Sequence, residues 1–363
     1  MSGIEFPKRA EELSAEFLTA VLCERQPGVR VEHVRVVEEA HCDTGSASTA
    51  ARAVLDLDYA SGCDQGLPGR VILKTVLVRP GAPSAMYRNE VRFYRELRPE
   101  LDIETPQAYA SIFDEASHTF GVVMEDVRLK QARFPNATQS MNHDEITHAL
   151  GELSRLHARF WASPRLSRDL DWLWTACSGG FFDFLQSAGF AFIQSQIDVN
   201  EHKQAVLARL GRSLDDLWEH LWRAQEILSS EPTTLLHGDT HFGNCYLLPG
   251  GRVGLLDWQL MNRGRWAQDI TYLMITALDT EYRRRHQREL LEFYLEQLRT
   301  HGVEKTPTTE EAWLLYRQTA IWGLVIGWLT CPTENYGERI LRANLDRLVS
   351  ALEDLETFAT LTI

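Results

Sequence analysis

The chain of 363 residues has little of what marks a secreted, membrane-spanning or nucleic-acid-binding protein. Its six cysteines are scattered at 23, 42, 63, 177, 245 and 331, with no C-x-x-C pair. Free thiols in a reducing cytoplasm are therefore expected. Met1 to Leu22 lacks a basic start followed by an apolar core, so no secretory leader is read there. The longest nearly apolar run, Thr319 to Cys331, covers 13 residues, too few to cross a bilayer and better suited to a buried helix. Basic residues are the minority, 37 against 51 acidic, for a net charge of −14. Without a basic face to neutralise phosphates, no nucleic-acid partner is expected. Arg283, Arg284, Arg285 and Arg288 form one basic run, but Glu281 and Glu289 flank it and a solvated helix face is expected. Internal repeats, low-complexity tracts and long Pro/Gly/Ser linkers are also missing.

What is present is an ordinary globular composition, 44% hydrophobic and 24% charged, long enough for one large domain or two lobes. Leu13, Phe17 and Val21 recur every four residues and predict a helix over 10–25. Short β-branched segments follow at Val29–Glu38, Ala51–Tyr59 and Arg70–Val78, separated by Gly, Ser and Asp. A helix is expected near 84–98, then strands at Tyr109–Asp114 and Thr119–Val127. Beyond that the periodicity is helical. Asn142 and Glu145 form a capping box ahead of Leu150, Leu153, Leu156 and Phe160. Further helices are expected over 180–228, 265–300, 309–330 and 337–358. One short strand pair is expected to interrupt them: Leu235 with Cys245–Leu248, and Val253–Leu256. Strands first and helices afterwards predict an α+β fold in two lobes, 1–127 and 128–363.

The chemistry concentrates in His237-Gly-Asp-Thr-His-Phe-Gly-Asn244 and Leu255-Leu-Asp-Trp-Gln259. Asp239 and Asn244 stand five positions apart, the spacing of the Asp and Asn in a kinase catalytic loop. A hairpin around Pro249-Gly-Gly251 would fold Asp257 back towards that loop. Phosphates bring several negative charges, and Mg²⁺, which prefers hard oxygen ligands, neutralises them. Asp257 offers a charged oxygen and Asn244 a neutral amide oxygen. Asp239 can then orient a hydroxyl and accept its proton.

The tract resembles the catalytic loop of the aminoglycoside phosphotransferase, choline kinase and ecdysteroid-kinase-like superfamily, relatives of protein kinases with His-Gly-Asp in place of His-Arg-Asp. The resemblance implies a protein-kinase-like fold, with an antiparallel sheet and helix in the N-lobe and a mainly helical C-lobe. It also implies ATP and Mg²⁺ as cofactors and a small-molecule hydroxyl as acceptor. Val71-Ile-Leu-Lys74 is similar to the strand bearing the phosphate-binding lysine. Glu90, 16 positions on, lies in a Glu-x-x-Phe-Tyr segment similar to that of ecdysteroid-kinase-like members, so a Lys74–Glu90 ion pair is expected. Phe120 to Val127 resembles the last strand and hinge, and Met124, Glu125, Asp126 and Val127 would meet adenine. Asp269, in Trp266-Ala-Gln-Asp-Ile, matches the aspartate that braces the loop, and His237 would anchor it. The phosphate loop should fall at Asp43–Thr49, where Ser46, Ser48 and Thr49 would supply donors; it has a single glycine.

Other readings fit less of the chain. His237 and His241 invite a zinc site, but Gly238 and Gly243 argue against the regular helix an i, i+4 pair requires. Gly45-Ser46 lacks the rest of a hydrolase elbow. His157 reads as a satisfied core histidine. Trp161, Trp172, Trp174, Phe181, Phe182, Phe184, Phe190 and Phe192 are expected mostly as core anchors, some of them lining an acceptor site. The alternative from another class is an inactive kinase-like nucleotide-binding or scaffolding protein, disfavoured because Lys74, Glu90, Asp239, Asn244 and Asp257 are all present.

Overall fold

The computed structural model describes residues 4, 6–7, 9–40, 50–76 and 82–361. Ser46, Ser48 and Thr49 of the expected phosphate loop lie outside them, as does Cys42. The chain divides into two units.

The first unit runs to Leu101 and includes Thr105–Ala132 and Glu334–Tyr336. Its sheet is antiparallel, in the order β1 (Val31–Ala40), β2 (Ala51–Tyr59), β3 (Arg70–Thr75), β5 (Phe120–Glu125), β4 (Ala108–Phe113). The period-2 alternation decides which side chains face the core. Ala53, Leu55, Leu57, Val71, Leu73 and Val123 pack with Leu18, Val21 and Leu22 of helix α1 (Ala15–Cys23). Ser14 caps α1 by accepting from Phe17 N at 3.1 Å. Lys74, between Leu73 and Thr75, therefore points away from that cluster. Helix α2 (Ser84–Arg92) continues into a π-helical turn, Phe93–Leu97.

The second unit comprises Asp102–Glu104, Arg133–Thr333 and the chain from Gly337. Helix α3 (His143–Phe160) begins with the expected capping box. It buries Ile146, Leu150, Leu153, Leu156, His157 and Phe160, spaced by three or four. Each buried aliphatic side chain contributes about 1.5–3 kcal/mol. The segment expected to be helical over 180–228 is broken into α4 (Gly180–Phe184), α5 (Phe190–Asp198), α6 (Glu201–Leu210) and α7 (Leu214–Leu228). After α7 come β7 (Thr234–Leu236), β8 (Cys245–Leu247), β9 (Val253–Leu255) and β10 (Asn262–Gly264), then α8 (Ala267–Ala277) and α9 (Thr280–Thr300). Helices α10 (Thr309–Trp322), α12 (Glu338–Asp354) and α13 (Thr357–Leu361) complete the bundle; α11 (Thr333–Tyr336) falls between α10 and α12 in sequence, and its last three residues belong to the first unit. All eleven residues of α8 are buried, and its polar Asp269, Thr271 and Thr276 are hydrogen-bonded.

Three expectations are corrected. The Leu235 strand pairs not with β8 but with β10, which also pairs with β6 (Trp174–Thr175). Fully buried three-residue strands carry no alternation from which to read a partner. Arg283 is not on a solvated face: it is 1% exposed, bound to Gln287 and Asp354. Of the eight aromatics, only Phe182 is fully buried, and Phe192 is 36% exposed. Among the described residues no helix is long and apolar enough to cross a membrane. The five described cysteines are free, and burial pushes the Cys245 thiol up to about 12.

Candidate active site

In the first unit, β3 presents Lys74 and α2 presents Glu90. The Lys74 Nζ lies 2.9 Å from Glu90 Oε1 and 2.8 Å from Oε2, with the side chains only 8% and 1% exposed. Both carboxylate oxygens thus face one ammonium. In so buried a pair, removing either partner strands the other at a cost of about 3–5 kcal/mol. Met124 and Glu125 end β5, and Asp126 caps the 3₁₀ turn Val127–Lys130. The Asp126 carboxylate is engaged by Arg128, accepting from its backbone N at 3.1 Å and from Nε and Nη2 at 2.8 Å.

In the second unit, β7 delivers the chain into the loop beginning at His237. Gly238 has φ +86°, and a Cβ there would stand 2.0 Å from the Leu260 carbonyl oxygen, so only glycine fits. Asp269, on the buried α8, grips the loop from below. Its Oδ2 accepts from His237 N at 2.7 Å, its Oδ1 from Gly238 N at 2.9 Å, and its carbonyl from Thr240 Oγ1 at 2.6 Å. Gln268 adds a bond to the Gly238 carbonyl at 3.2 Å.

His237 is fully buried against Trp258, ring centroids 4.4 Å apart. Its Nδ1 accepts from Asp239 N at 3.2 Å, so the proton sits on Nε2, which donates to the Leu256 carbonyl at 2.8 Å. Burial holds its pKa below the ordinary value, against the opposing charge of Asp269. A neutral imidazole thereby staples the loop to the residue before Asp257. His241 is spent in the same way: its Nδ1 accepts from Gly243 N at 3.0 Å and caps the turn Phe242–Asn244. In both histidines Nδ1 accepts from a backbone N–H of the loop.

That turn presents Asn244. Its Nδ2 donates to the Asp239 carbonyl at 2.8 Å and to Asp239 Oδ2 at 3.0 Å. Two acceptors on one side of an amide identify that side as NH₂, so Oδ1 points elsewhere. Strands β8 and β9 pair Cys245 with Leu255, and Leu256 N donates to the Asn244 carbonyl at 2.8 Å. The hairpin thus returns Asp257 to the Asn244 side of the loop. Asp257 sits at φ +64°, in the left-handed region, where a non-glycine residue stores about 1–3 kcal/mol.

Burial also pushes the His241 pKa down to about 4, with Asp257 pulling it back up. In the unfolded chain the ring titrates near its ordinary value, so between about pH 6.5 and 4 the unfolded state binds more protons. Stability therefore falls as the pH drops through that window, by up to about 3 kcal/mol from this group. His241→Asn, which keeps an acceptor for Gly243, is expected to flatten the pH dependence of urea unfolding there. An unchanged slope would contradict the assignment.

Sequence reasoning missed four loop supports: Thr240, Gln268, His157 as more than core, and Tyr294. His157 Nε2 lies 3.1 Å from Asp269 Oδ2, and its Nδ1 lies 2.7 Å from the Tyr294 hydroxyl. A lone histidine on the apolar face of α3 was a signal for the first contact. Nothing in the pattern of α9 distinguishes Tyr294 from a core ring.

The profile of the ecdysteroid kinase-like family matches residues 69–304. No curated protein matches. Among solved structures, the chain is similar to an ethanolamine kinase from Plasmodium vivax, 12% identical over 88% of this chain and 81% of that one, with a TM-score of 0.52. It also matches an aminoglycoside phosphotransferase from Streptomyces rimosus (18% identity, 83% and 96% covered, TM-score 0.41). A third match is a spectinomycin phosphotransferase in complex with ADP and spectinomycin (13%, 96% and 99%, 0.47). The fold is of the protein-kinase-like class, with an antiparallel N-terminal sheet and a helical remainder. With the profile matching well over half of its length, the chain belongs to the ecdysteroid kinase-like family.

Proposed function

We propose that the chain is an ATP- and Mg²⁺-dependent phosphotransferase that moves the γ-phosphoryl group to a hydroxyl of a small molecule. The observation that carries this reading is the Asn244–Asp239 contact at 3.0 Å. It fixes a carboxylate and turns an amide oxygen outward on one short loop. Family membership supports the same chemistry at the level of a small-molecule kinase.

The donor set suits magnesium: Asn244 Oδ1 and the Asp257 carboxylate are hard oxygens. Mg²⁺ bound there would offset the negative charge that builds on the phosphates. Asp239 orients the acceptor hydroxyl and takes its proton. Lys74, held by both oxygens of Glu90, places its ammonium on the α and β phosphates. Met124 to Val127 meet adenine through backbone. His237 and Asp269 keep the loop in shape without touching the reacting atoms.

The test is ADP release from MgATP with a panel of acceptors: an aminoglycoside, choline, a monosaccharide, serine and a hydroxysteroid. Acceptor-dependent ADP that disappears in Asp239→Ala and Asp257→Ala supports the proposal. MgATP binding without acceptor-dependent turnover across the panel would favour an inactive nucleotide-binding protein.

A further inference from the structure

The buried polar chain behind the loop has one member that no step above uses. Tyr294 on α9 is fully buried, and its hydroxyl lies 2.7 Å from His157 Nδ1. His157 and Asp269 are also 0% exposed. Asp269 receives His237 N, Gly238 N and His157 Nε2, so both carboxylate oxygens act as acceptors and Nε2 must carry a proton. The other ring nitrogen, Nδ1, faces the Tyr294 hydroxyl at 2.7 Å, where it can accept from that O–H. We propose that Tyr294 is a positioning residue: by donating to His157 Nδ1 it fixes the tautomer whose Nε2–H keeps Asp269 on the amides of His237 and Gly238.

Three features support the assignment. Burial, with the charge of Asp269, lifts the Tyr294 pKa well above its ordinary value, so the hydroxyl keeps its proton. Its ring packs 5.0 Å from that of Trp266, the residue that opens α8. His157 meets the approach to the loop a second time, since its carbonyl accepts from Thr234 Oγ1 at 2.6 Å. Without the hydroxyl, Nδ1 would face an apolar ring, the proton would no longer be held on Nε2, and Asp269 could turn away from one amide.

The inference rests on the phosphotransfer reading for its effect on rate, but not for its effect on the loop. The test therefore uses the full chain labelled with ¹⁵N at glycine and histidine. Imidazole nitrogen shifts report the His157 tautomer, and the His237 and Gly238 amide resonances report the grip of Asp269. Tyr294→Phe is expected to change the tautomer population and shift both amides, although residue 294 hydrogen-bonds to neither. It should lower kcat about 10-fold for the acceptor found with the panel, with KM for MgATP within about twofold. His157→Gln, whose amide can still donate to Asp269, should hold the two amides closer to their wild-type positions than His157→Leu. Unmoved amides and an unchanged tautomer in Tyr294→Phe would overturn the proposal, whatever happens to thermal stability. If the wild-type chain phosphorylates no acceptor, the phosphotransfer reading falls, and the amide shifts still decide the role of Tyr294.

Discussion

Asp239→Ala is expected to lower acceptor-dependent turnover by about 10²–10⁴-fold while MgATP affinity stays within about twofold. An alcohol is a poor nucleophile until its proton leaves, and in the proposed role the Asp239 carboxylate would both aim the hydroxyl and receive that proton. Asp239 suits the task because its position is fixed from three sides. Asn244 Nδ2 bonds its carbonyl and its Oδ2, His237 Nδ1 accepts its N–H, and Asp269 holds the amide of Gly238 before it. Its side chain is 24% exposed, open enough for a hydroxyl to reach. In the proposed function the nucleotide's phosphates would be met by other groups, Lys74 and a magnesium ion on Asn244 and Asp257, so affinity should survive. Single-turnover kinetics beside calorimetric titration of MgATP separate the two quantities. A loss of MgATP affinity above about tenfold would remove Asp239 from the role of base.

Much of this site could be read from the residues, because the reading depended on short spacings. Lys74 and Glu90 pair as their 16-residue separation suggests, since one strand and the next helix can carry both. Asp239 and Asn244 lie on a single loop, where five residues fix the geometry almost alone. What could not be read depends on contacts between distant segments. Tyr294 and His157 are 137 positions apart, and each looks like core in its own helix. The partner of β7 lies beyond the whole β8–β9 hairpin, and Thr234–Leu236 has no exposed position to mark its register. The π-helical turns at Phe93–Leu97, Leu185–Gly189 and Gly323–Leu329 also left no trace in the periodicity. The same limit applies to the aromatics between Trp161 and Phe192: their abundance was visible, but not that most are only half-buried.

Asp257→Gly should separate function from stability more sharply than any other substitution in the loop. At φ +64° an aspartate bears a steric cost that glycine does not, so the variant is expected to gain about 1 kcal/mol of unfolding free energy. The same change deletes the proposed charged magnesium ligand, which would contribute several kcal/mol to the transition state, and turnover should fall by about 10³-fold or more. Asp257→Ala keeps the strain and loses the carboxylate, so it should lose activity to the same extent without becoming more stable. A surface turn residue would behave differently: its replacement by glycine would leave turnover intact. Urea denaturation of both variants, with their kcat at saturating Mg²⁺, distinguishes the cases. If Asp257→Gly is active, or if both variants have the same unfolding free energy, the strained backbone at 257 is not serving the metal. Positive φ at a non-glycine residue is not by itself a mark of function, since Gln131 and Ala162 share it, so the paired loss of turnover and gain of stability is what would tie the strain at 257 to its carboxylate.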